Sequence, residues 1–146
     1  MLLNSNQIAN HVIESDFSKR AQIGIDLSVC KIERIDVGSV VYKDKTHIDS
    51  TGYHELPTQL IDGKECWRLE KGVYSVTFNE GIKVPADAAA KITHRSSLYR
   101  TGTIIESPWW DPGFYCDQMN TTIIVTSVII IEKNARIGQI AFWKVD

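Results

Sequence analysis

Residues 121–131 read TTIIVTSVIII, and every residue of this stretch except Ser127 is β-branched. Such side chains are restricted in a helix but pack well on the pleated surface of a sheet. The stretch therefore predicts extended structure. No apolar run in the chain is longer than that of residues 128–131, which is far short of the roughly 20 residues that a membrane-spanning helix needs.

Other parts of the chain show the same preference for strands. Four aliphatic residues alternate with small or polar ones between Ile23 and Cys30, and alternation with a period of two is typical of a half-buried strand. Further short apolar segments, separated by turn residues such as Asn79-Glu80-Gly81, lie at 32–37, 73–78, 82–84, 88–92 and 137–143. Many short strands predict a mainly β domain, a distorted β-barrel or jelly roll.

The N-terminus carries the one clear helical pattern. Asn4 or Ser5 can cap a short helix, and Ile8, Val12 and Ile13 follow at helical spacing. We therefore expect a short helix ahead of the β domain. No basic segment precedes an apolar one here, so a signal peptide is not indicated.

Size and composition narrow the class of protein. The chain has 146 residues, of which 43% are hydrophobic and 23% charged, and this predicts a single domain spanning residues 1–146. A net charge of −2 offers no large positive field to a nucleic-acid backbone, so we expect no nucleic-acid partner. The cysteines, Cys30, Cys66 and Cys116, form no C-x-x-C pair and are expected to be reduced thiols of a cytoplasmic protein without membrane contact. The polar stretch 40–67 is expected to be an inserted hairpin or loop.

Two segments carry polar groups of functional interest. Asp26 lies within the alternating strand, where it is either a solvent-facing carboxylate or a functional one. Residues 94–100 read HRSSLYR and contribute Arg95, Ser96, Ser97 and Arg100. Guanidinium forks and hydroxyl groups suit phosphate oxygens, although a polar loop capping a short helix would also explain this segment.

Two later segments complete the set. Residues 108–115, PWWDPGFY, surround the carboxylate of Asp111 with aromatic rings and a Pro-Gly turn. Asp111 can polarise a water as a general base, and Trp110 and Phe114 can pack against a planar base or sugar. The alternative is an aromatic corner of the core. In residues 135–140, ARIGQI, Arg136 and Gln139 lie among apolar residues, and the alternative there is an edge-strand turn.

Together and in this order, the four segments resemble the first four motifs of the dUTPase/dCTP deaminase superfamily. Gly24-Ile25-Asp26-Leu27 resembles its Gly-x-Asp-Leu strand, and Arg95-Ser96-Ser97-Leu98 resembles its phosphate loop. Asp111-Pro112-Gly113-Phe114 resembles the hairpin that holds the base and the catalytic water, and Arg136-Ile137-Gly138-Gln139 resembles the Arg-Ile-Ala/Gly-Gln strand. The N-terminal helix looks more like the deaminase branch. Each motif alone is weak, but four in order are specific.

The resemblance implies a dUTPase-like jelly roll that forms a homotrimer with active sites at subunit interfaces. The implied ligand is a pyrimidine deoxynucleoside triphosphate, and the implied reaction cuts dUTP to dUMP and pyrophosphate. Mg²⁺ is the implied cofactor, held mainly by the triphosphate, because this hard ion needs few protein ligands. By resemblance, Asp111 orients the attacking water and Asp26 lies near metal-bound waters. The implied phosphate contacts are Arg95, Ser96, Ser97, Arg100 and Gln139, with Arg136 bracing the site.

The deaminase branch uses a different chemistry, which replaces the cytosine amine without zinc. It needs a glutamate ten residues past the hairpin aspartate, and counting ten residues from Asp111 reaches Thr121. A hydroxyl cannot shuttle a proton as a carboxylate can, and only Glu106 and Asp117 remain as nearby substitutes. The zinc-deaminase pattern is also absent from the sequence. Hydrolysis is therefore favoured, with zinc-independent dCTP deamination as the alternative.

Departures from the family pattern keep a pure binding role open. Cys116 stands where the hairpin usually has glycine, and Trp109 and Trp110 replace small residues. The sequence ends at Asp146 without the Gly-rich tail that closes over the ligand in dUTPases, and such closure often governs turnover. We therefore expect either another element to cover the site or a nucleotide-sequestering homologue that does not hydrolyse. The choice of base stays open.

Overall fold

Short β-strands dominate the part of the chain that the computed structural model describes, residues 1–36, 38–48 and 52–145. The helices are α1 (Ser5–Ile8) and α2 (Ser96–Tyr99), and a 3-10 turn spans Ala9–His11. The strands are β1 (Val12–Ile13), β2 (Lys19–Arg20), β3 (Ile25–Ile35), β4 (Val40–Val41), β5 (Thr46–His47), β6 (Tyr53–Glu55), β7 (Gln59–Ile61), β8 (Lys64–Leu69), β9 (Gly72–Phe78), β10 (Gly81–Lys83), β11 (Ala88–His94), β12 (Thr103–Glu106), β13 (Tyr115–Cys116), β14 (Asn120–Val125), β15 (Ile129–Glu132) and β16 (Arg136–Lys144). The predicted mainly β fold class is confirmed.

One sheet of eight strands organises the molecule. Its main path runs β11-β16-β3-β9-β14-β12, and β2 and β6 pair with β3. The two ends of the path approach each other, because the backbone N–H of Ile92 in β11 donates to Oγ of Ser107, just after β12, over 3.3 Å. The sheet is thus a nearly closed barrel. Smaller sheets form from β1-β10-β13, from β15-β8-β7 and from the hairpin β4-β5.

Strand β3 shows how the predicted alternation is used. Successive side chains of a strand point to opposite faces, and Ile25, Leu27 and Val29 all point into the core, where they are fully buried. On the opposite face, Asp26 and Ser28 are buried as well. The interpretation of Asp26 as a solvent-facing carboxylate is therefore wrong. This buried polar face of β3 is where the candidate site forms.

The β-branched stretch 121–131 is extended, as predicted, but it forms two strands in different sheets. β14 lies between β9 and β12 in the barrel, whereas β15 pairs with β8. The chain leaves the barrel at Thr126, whose hydroxyl donates to the carbonyl of Gly102 over 2.7 Å. Polar residues at positions 126 and 127 thus separate two strands that composition alone would join.

The N-terminal helix begins where the sequence predicts but is shorter than expected. Asn4 caps it, since its side chain accepts from the N–H of Gln7 (3.0 Å) while the Gln7 side chain accepts from the N–H of Asn4 (2.9 Å). Val12 and Ile13, expected on the helix, instead form β1 and pair with β10. That part of the prediction is wrong, because pairing with an available strand suits β-branched residues better than another helical turn.

The remaining expectations concern the polar stretch 40–67 and the ends of strands. The hairpin β4-β5 lies within 40–67, as expected, and is followed there by β6, β7 and the start of β8. Val37, expected to extend the strand that contains Ile35, lies outside the described residues. In the described ranges, no helix is long and apolar enough to cross a membrane.

Candidate functional site

A row of side chains runs across four neighbouring strands of the barrel. Asp26 of β3 pairs with Lys19 of β2 on one side and with Gln139 of β16 on the other, and Gln139 pairs with Thr93 of β11. Residues directly opposite each other on adjacent strands share a face of the sheet. Strand register therefore brings together side chains that lie far apart in the sequence.

Two local features set this register. The pairing of β16 with β3 shifts between Arg136 and Gly138, and such bulges re-aim the side chains that follow them. Gly24 allows the close approach, because a Cβ atom there would lie 2.3 Å from the backbone oxygen of Ile140 and 2.8 Å from Cγ of Gln139. The Gly-x-Asp pattern thus reflects close packing of β16 against the start of β3.

Beside this row, the turn after β11 closes a cavity of about 500 Å³. The chain ends β11 at His94 and begins the one-turn helix α2 at Ser96, with Arg95 between them. The cavity is lined by Lys19, Arg20, Ala21, Asp26, His94, Arg95, Ser96 and Gln139. Of the residues predicted from sequence to bind substrate, it therefore contains Asp26, Arg95, Ser96 and Gln139.

The charges of the cavity are arranged around Asp26, which is 5% exposed. The Nε atom of Arg95 lies 3.2 Å from Asp26 Oδ2, and Nε2 of Gln139 donates to Asp26 Oδ1 over 3.3 Å. Arg95 is held further by a 3.0 Å hydrogen bond from its guanidinium to the carbonyl of Arg136. Lys19 and Arg20 add two more cations, so the cavity carries an excess of positive charge. Such a site favours a multiply charged anion.

The predicted hairpin is a tight turn at residues 111–114. The N–H of Phe114 donates to the carbonyl of Asp111 over 3.1 Å, and Gly113 has a φ of 86°. Proline in second place and glycine with positive φ in third place are typical of a type II turn. The rings of Trp110 and Phe114 stack 5.5 Å apart on either side of the turn, and Asp111 itself is exposed.

Residues 115–117 follow the turn and form strand β13 and its end. Cys116 is half-buried and packs against the core, and burial raises the pKa of its thiol. The hydroxyl of Tyr115 donates to the carboxylate of Asp117, and this hydrogen bond raises the pKa of Tyr115. The thiol that replaces the usual glycine thus contributes to packing.

The hairpin and the cavity lie at opposite ends of β11. Trp110 pairs with Ala90 near the start of this strand through two backbone hydrogen bonds of 2.7 and 3.0 Å. His94 borders the cavity at its end. Since a strand rises about 3.3 Å per residue, Ala90 and His94 lie roughly 13 Å apart. Within one chain, Asp111 is therefore well separated from the cationic cavity.

The remaining predicted residues fall elsewhere. Ser97 and Arg136 line a second cavity of about 180 Å³ between α2 and β15, and Arg100 is exposed at the end of α2. The main cavity is also lined by three residues that were not among the predicted site residues, namely Lys19, Arg20 and His94. The one sequence signal for Lys19 and Arg20 is that these two cations lie just before the Gly-x-Asp strand. Their pairing with that strand could not be predicted, because side-chain type does not specify which strands pair.

Thr121 lies on β14 at the position where the resemblance to the deaminase branch implies a glutamate. Thr121 is 4% exposed, and its hydroxyl donates to the carbonyl of Glu106 over 2.7 Å. The side chain of Glu106 is exposed on β12, and Asp117 accepts the hydrogen bond from Tyr115. Thr121 thus has a structural partner.

Side chains that could bind a metal ion do not cluster in the described residues. Across residues 1–36, 38–48 and 52–145, no group of three or more His, Cys, Asp or Glu side chains is placed to hold a metal ion. Asp26 is the one carboxylate that the described part of the chain brings to the cationic cavity. A divalent cation there must bring most of its own ligands, as an ion chelated by phosphates does.

Comparison with known proteins identifies the family of this chain. A family model described as dCTP deaminase-like matches residues 4–145. The protein named probable deoxyuridine 5'-triphosphate nucleotidohydrolase from Methanosarcina acetivorans is 31% identical over 97% of this chain and 87% of its own length. The protein of the same name from Methanococcoides burtonii is 38% identical over 98% and 82%, respectively.

A solved structure supports the fold assignment. The crystal structure of 2'-deoxycytidine 5'-triphosphate deaminase from Agrobacterium tumefaciens matches with a TM-score of 0.71 at 19% identity. The match covers 97% of this chain and 46% of that one, so this chain spans about half the length of that deaminase. At this identity the likeness concerns the fold alone.

Proposed function

The chain belongs to the dCTP deaminase-like family, and from that premise we propose that it hydrolyses dUTP to dUMP and pyrophosphate. The observation that carries the proposal is the cationic cavity around Asp26, Arg95, Ser96 and Gln139. Its excess of positive charge suits a polyphosphate. Relatives that are 31% and 38% identical over nearly the whole chain bear the name of a dUTP nucleotidohydrolase.

Thr121 favours hydrolysis over deamination. A deaminase of this family needs a carboxylate at that position, and here a buried hydroxyl is bonded to the carbonyl of Glu106. A glutamate side chain would be longer and charged, and it would lose this hydrogen bond in a buried position at a cost in free energy. Deamination of dCTP therefore has no suitably placed proton carrier on β14.

In the proposed reaction, Asp111 acts as the general base. Its carboxylate accepts a proton from water, the water oxygen forms a bond to the α-phosphorus, and the bond from that phosphorus to the bridging oxygen breaks as pyrophosphate leaves. Asp111 is exposed at the tip of the turn, so an incoming ligand can reach it. The neighbouring rings of Trp110 and Phe114 offer apolar faces to the base and sugar.

The proposed active site needs more than one copy of the chain. Asp111 and the cavity are separated along β11, yet one dUTP molecule must contact both. We therefore assign the cavity to one subunit and the hairpin to its neighbour in a homotrimer. This arrangement also accounts for an exposed carboxylate and exposed aromatic side chains, Trp109 and Phe114, on the hairpin.

Mg²⁺ fits the cavity as an ion that the substrate carries. The donor set is one carboxylate, Asp26, which is suited to accept hydrogen bonds from metal-bound water, and such an ion prefers oxygen ligands. When bound to the triphosphate, Mg²⁺ neutralises charge that develops on the leaving pyrophosphate. Arg95 and Gln139 hold Asp26 in place for that role.

The proposal is tested by incubating the protein with dUTP, dCTP or dTTP and Mg²⁺ and separating the products. We expect dUMP and pyrophosphate from dUTP, and a loss of about 100- to 10,000-fold in rate for Asp111→Asn, the range expected for a general base. Asp87→Asn is the matched control, because Asp87 is exposed and lies outside the site. Its rate should equal that of the wild type.

Two other outcomes would replace this proposal. Release of dUTP from dCTP would establish deamination, and loss of that activity in Glu106→Gln or Asp117→Asn would identify the proton carrier. Saturable binding of dUTP without turnover would establish a sequestering protein instead.

A further inference from the structure

A buried carboxylate outside the proposed active site has an unusual set of partners. Glu80 is fully buried between β9 and β10. Its Oε1 accepts the backbone N–H of Ser28 over 2.7 Å. Its Oε2 lies within hydrogen-bonding distance of the hydroxyls of Ser15, Ser18 and Ser28, with distances of 2.8 Å to the last two. Among the described residues, no cation forms an ion pair with Glu80.

The directions of these hydrogen bonds are fixed by other donors. Ser15 Oγ accepts from the N–H of Phe17 (3.1 Å), Ser18 Oγ accepts from the N–H of Ser15 (2.8 Å), and Ser28 Oγ accepts from the amide of Asn79 (2.9 Å). Each hydroxyl proton is therefore free to point at Glu80. Burying a carboxylate is costly unless its oxygens are satisfied, so Glu80 and the two serines of the N-terminal segment stabilise one another.

This network fixes the segment that carries Lys19. On one side of Lys19, Ser18 is tied to Glu80. On the other side, Nε and Nη2 of Arg20 donate to the two carboxylate oxygens of Glu14, each over 3.0 Å. The backbone between them pairs with β3, with Lys19 opposite Asp26. The position of Lys19 at the cavity is thus determined by contacts that its own side chain does not make.

Lys19 differs from the other cations of the cavity because its ammonium group forms no ion pair among the described residues. Arg95 is paired with Asp26 and Arg20 with Glu14, whereas Lys19 forms no ion pair within the described residues. Its side chain lines the cavity with Asp26, Arg95, Ser96 and Gln139. An ammonium group that lines this cationic cavity and forms no ion pair among the described residues is suited to bind phosphate oxygens.

We propose that Lys19 binds the phosphate chain beyond the α-phosphate and selects triphosphates, and that Glu80 is the positioning residue that holds Lys19 there through Ser15 and Ser18. The inference rests on the proposed function, which supplies the substrate and places its base and α-phosphate at the hairpin. In the proposed trimer, the hairpin of the neighbouring subunit carries Asp111 and the aromatic rings, so the base and the α-phosphate bind against that hairpin and the cationic cavity is left for the remaining phosphates. The β- and γ-phosphates therefore bind in the cavity, where Lys19 contacts them.

Steady-state kinetics with dUTP test the role of Lys19. We expect Lys19→Met to raise KM for dUTP about tenfold with kcat nearly unchanged, because one charge-assisted contact is lost equally from substrate and transition state. Inhibition by inorganic tripolyphosphate should weaken by a similar factor, whereas inhibition by dUMP should not change. Lys19→Arg should restore most of the affinity. Lys71→Met is the matched control, since Lys71 is exposed at the turn between β8 and β9 and should leave all three values unchanged.

A double-mutant cycle tests the role of Glu80. Glu80→Gln keeps the size of the side chain but lowers its capacity to accept hydrogen bonds, and we expect KM for dUTP to rise about as much as in Lys19→Met. If Glu80 acts through Lys19, the second change should add little in the Lys19→Met background, since coupled residues are not additive. Ser18→Ala gives the same test with a smaller disturbance, should Glu80→Gln fail to fold.

The outcomes separate this inference from the proposed function. Wild-type turnover of dUTP with an unchanged KM in Lys19→Met would overturn the role of Lys19 alone. Fully additive effects of Ser18→Ala and Lys19→Met on KM would overturn the positioning role. If the wild type does not hydrolyse dUTP, calorimetric titration with tripolyphosphate still decides, because equal affinities of wild type and Lys19→Met would rule the inference out.

Discussion

Asp26 and Gln139 lie directly opposite each other on β3 and β16, and the amide of Gln139 donates to Asp26 Oδ1 over 3.3 Å. Arg95 occupies the other carboxylate oxygen at 3.2 Å. Three of the four recognised motifs therefore meet at one buried carboxylate. The remaining motif, the hairpin at residues 111–114, lies at the other end of β11.

The first prediction concerns this carboxylate. Asp26→Asn removes the charge but keeps the shape, so Arg95 loses its ion-pair partner, and in the proposed function metal-bound water loses a strong acceptor. We expect the Mg²⁺ concentration for half-maximal dUTP hydrolysis to rise roughly tenfold, the usual size of an outer-shell effect on a metal site. Asp87→Asn removes an exposed carboxylate and serves as control. An unchanged Mg²⁺ dependence in Asp26→Asn would exclude Asp26 from the metal site.

The second prediction concerns the close approach of β16 to the start of β3. In Gly24→Ala, the new Cβ would lie 2.3 Å from the backbone oxygen of Ile140, so the strands must separate. We expect a loss of about 1–3 kcal/mol in the free energy of unfolding, as for other overpacked sites. KM for dUTP should also rise, because Gln139 moves with β16. Chemical denaturation and kinetics measure both effects, and wild-type stability would contradict the geometry.

The mainly β class and the strands within 121–131 were predictable because β-branched side chains favour an extended backbone directly. The motifs around Asp26, Arg95 and Gln139 were also recognisable, since each carries its own local pattern. Lys19 was not selected, because its place beside Asp26 depends on the pairing of β2 with β3. Register is decided by tertiary packing, which a period-two pattern does not specify.

One wrong prediction and one rejected alternative have a related cause. Val12 and Ile13 have helical spacing from Ile8, yet they form β1 because β10 offers a pairing edge. The alternation would place Asp26 on the solvent-facing side of its strand. It is buried instead, because β2 and β16 flank it and the turn after β11 lies over that face. In both cases a neighbour distant in sequence overrides a local preference.

The third prediction compares the turn at Gly113, which is part of the proposed active site, with the turn at Gly63, which is not. Gly113 and Gly63 both have positive φ, 86° and 77°, and neither has an atom near the position of a Cβ. Gly113→Ala and Gly63→Ala should therefore each lower the free energy of unfolding by about 1–2 kcal/mol, the cost of a left-handed alanine. Only Gly113→Ala should reduce dUTP turnover, because it alters the turn that holds Asp111. Equal dUTP turnover by Gly113→Ala and Gly63→Ala would show that the turn at residues 111–114 is not part of the active site.

The fourth prediction concerns Thr121, which stands where the resemblance to the deaminase branch implies a glutamate. Thr121→Val deletes the hydroxyl that donates to the carbonyl of Glu106 while keeping the side-chain volume. We expect a loss of about 1–3 kcal/mol in stability from the unsatisfied carbonyl and no change in kcat for dUTP. A large fall in kcat at unchanged folding would give Thr121 a catalytic role.

The fifth prediction uses the free thiols. Burial raises the pKa of Cys30 and of Cys116 above the ordinary value for a thiol, and the charge of Glu80 contributes at Cys30. Thiolate is the reactive form, so iodoacetamide should modify both cysteines in the folded protein more slowly than a free thiol at pH 8. Unfolding in urea at the same pH should abolish the difference.

The raised pKa values also predict how stability depends on pH. Between the ordinary thiol pKa and the raised one, the folded protein holds protons that the unfolded chain has released. The stabilisation is therefore fully present below the ordinary pKa and is lost as the pH rises through the raised value. In Cys30→Ser the side chain no longer titrates, so the decline in unfolding free energy from pH 8 to pH 10 should be smaller than in the wild type. Identical declines, measured by urea denaturation at each pH, would show that the Cys30 thiol titrates alike in the folded and unfolded chains.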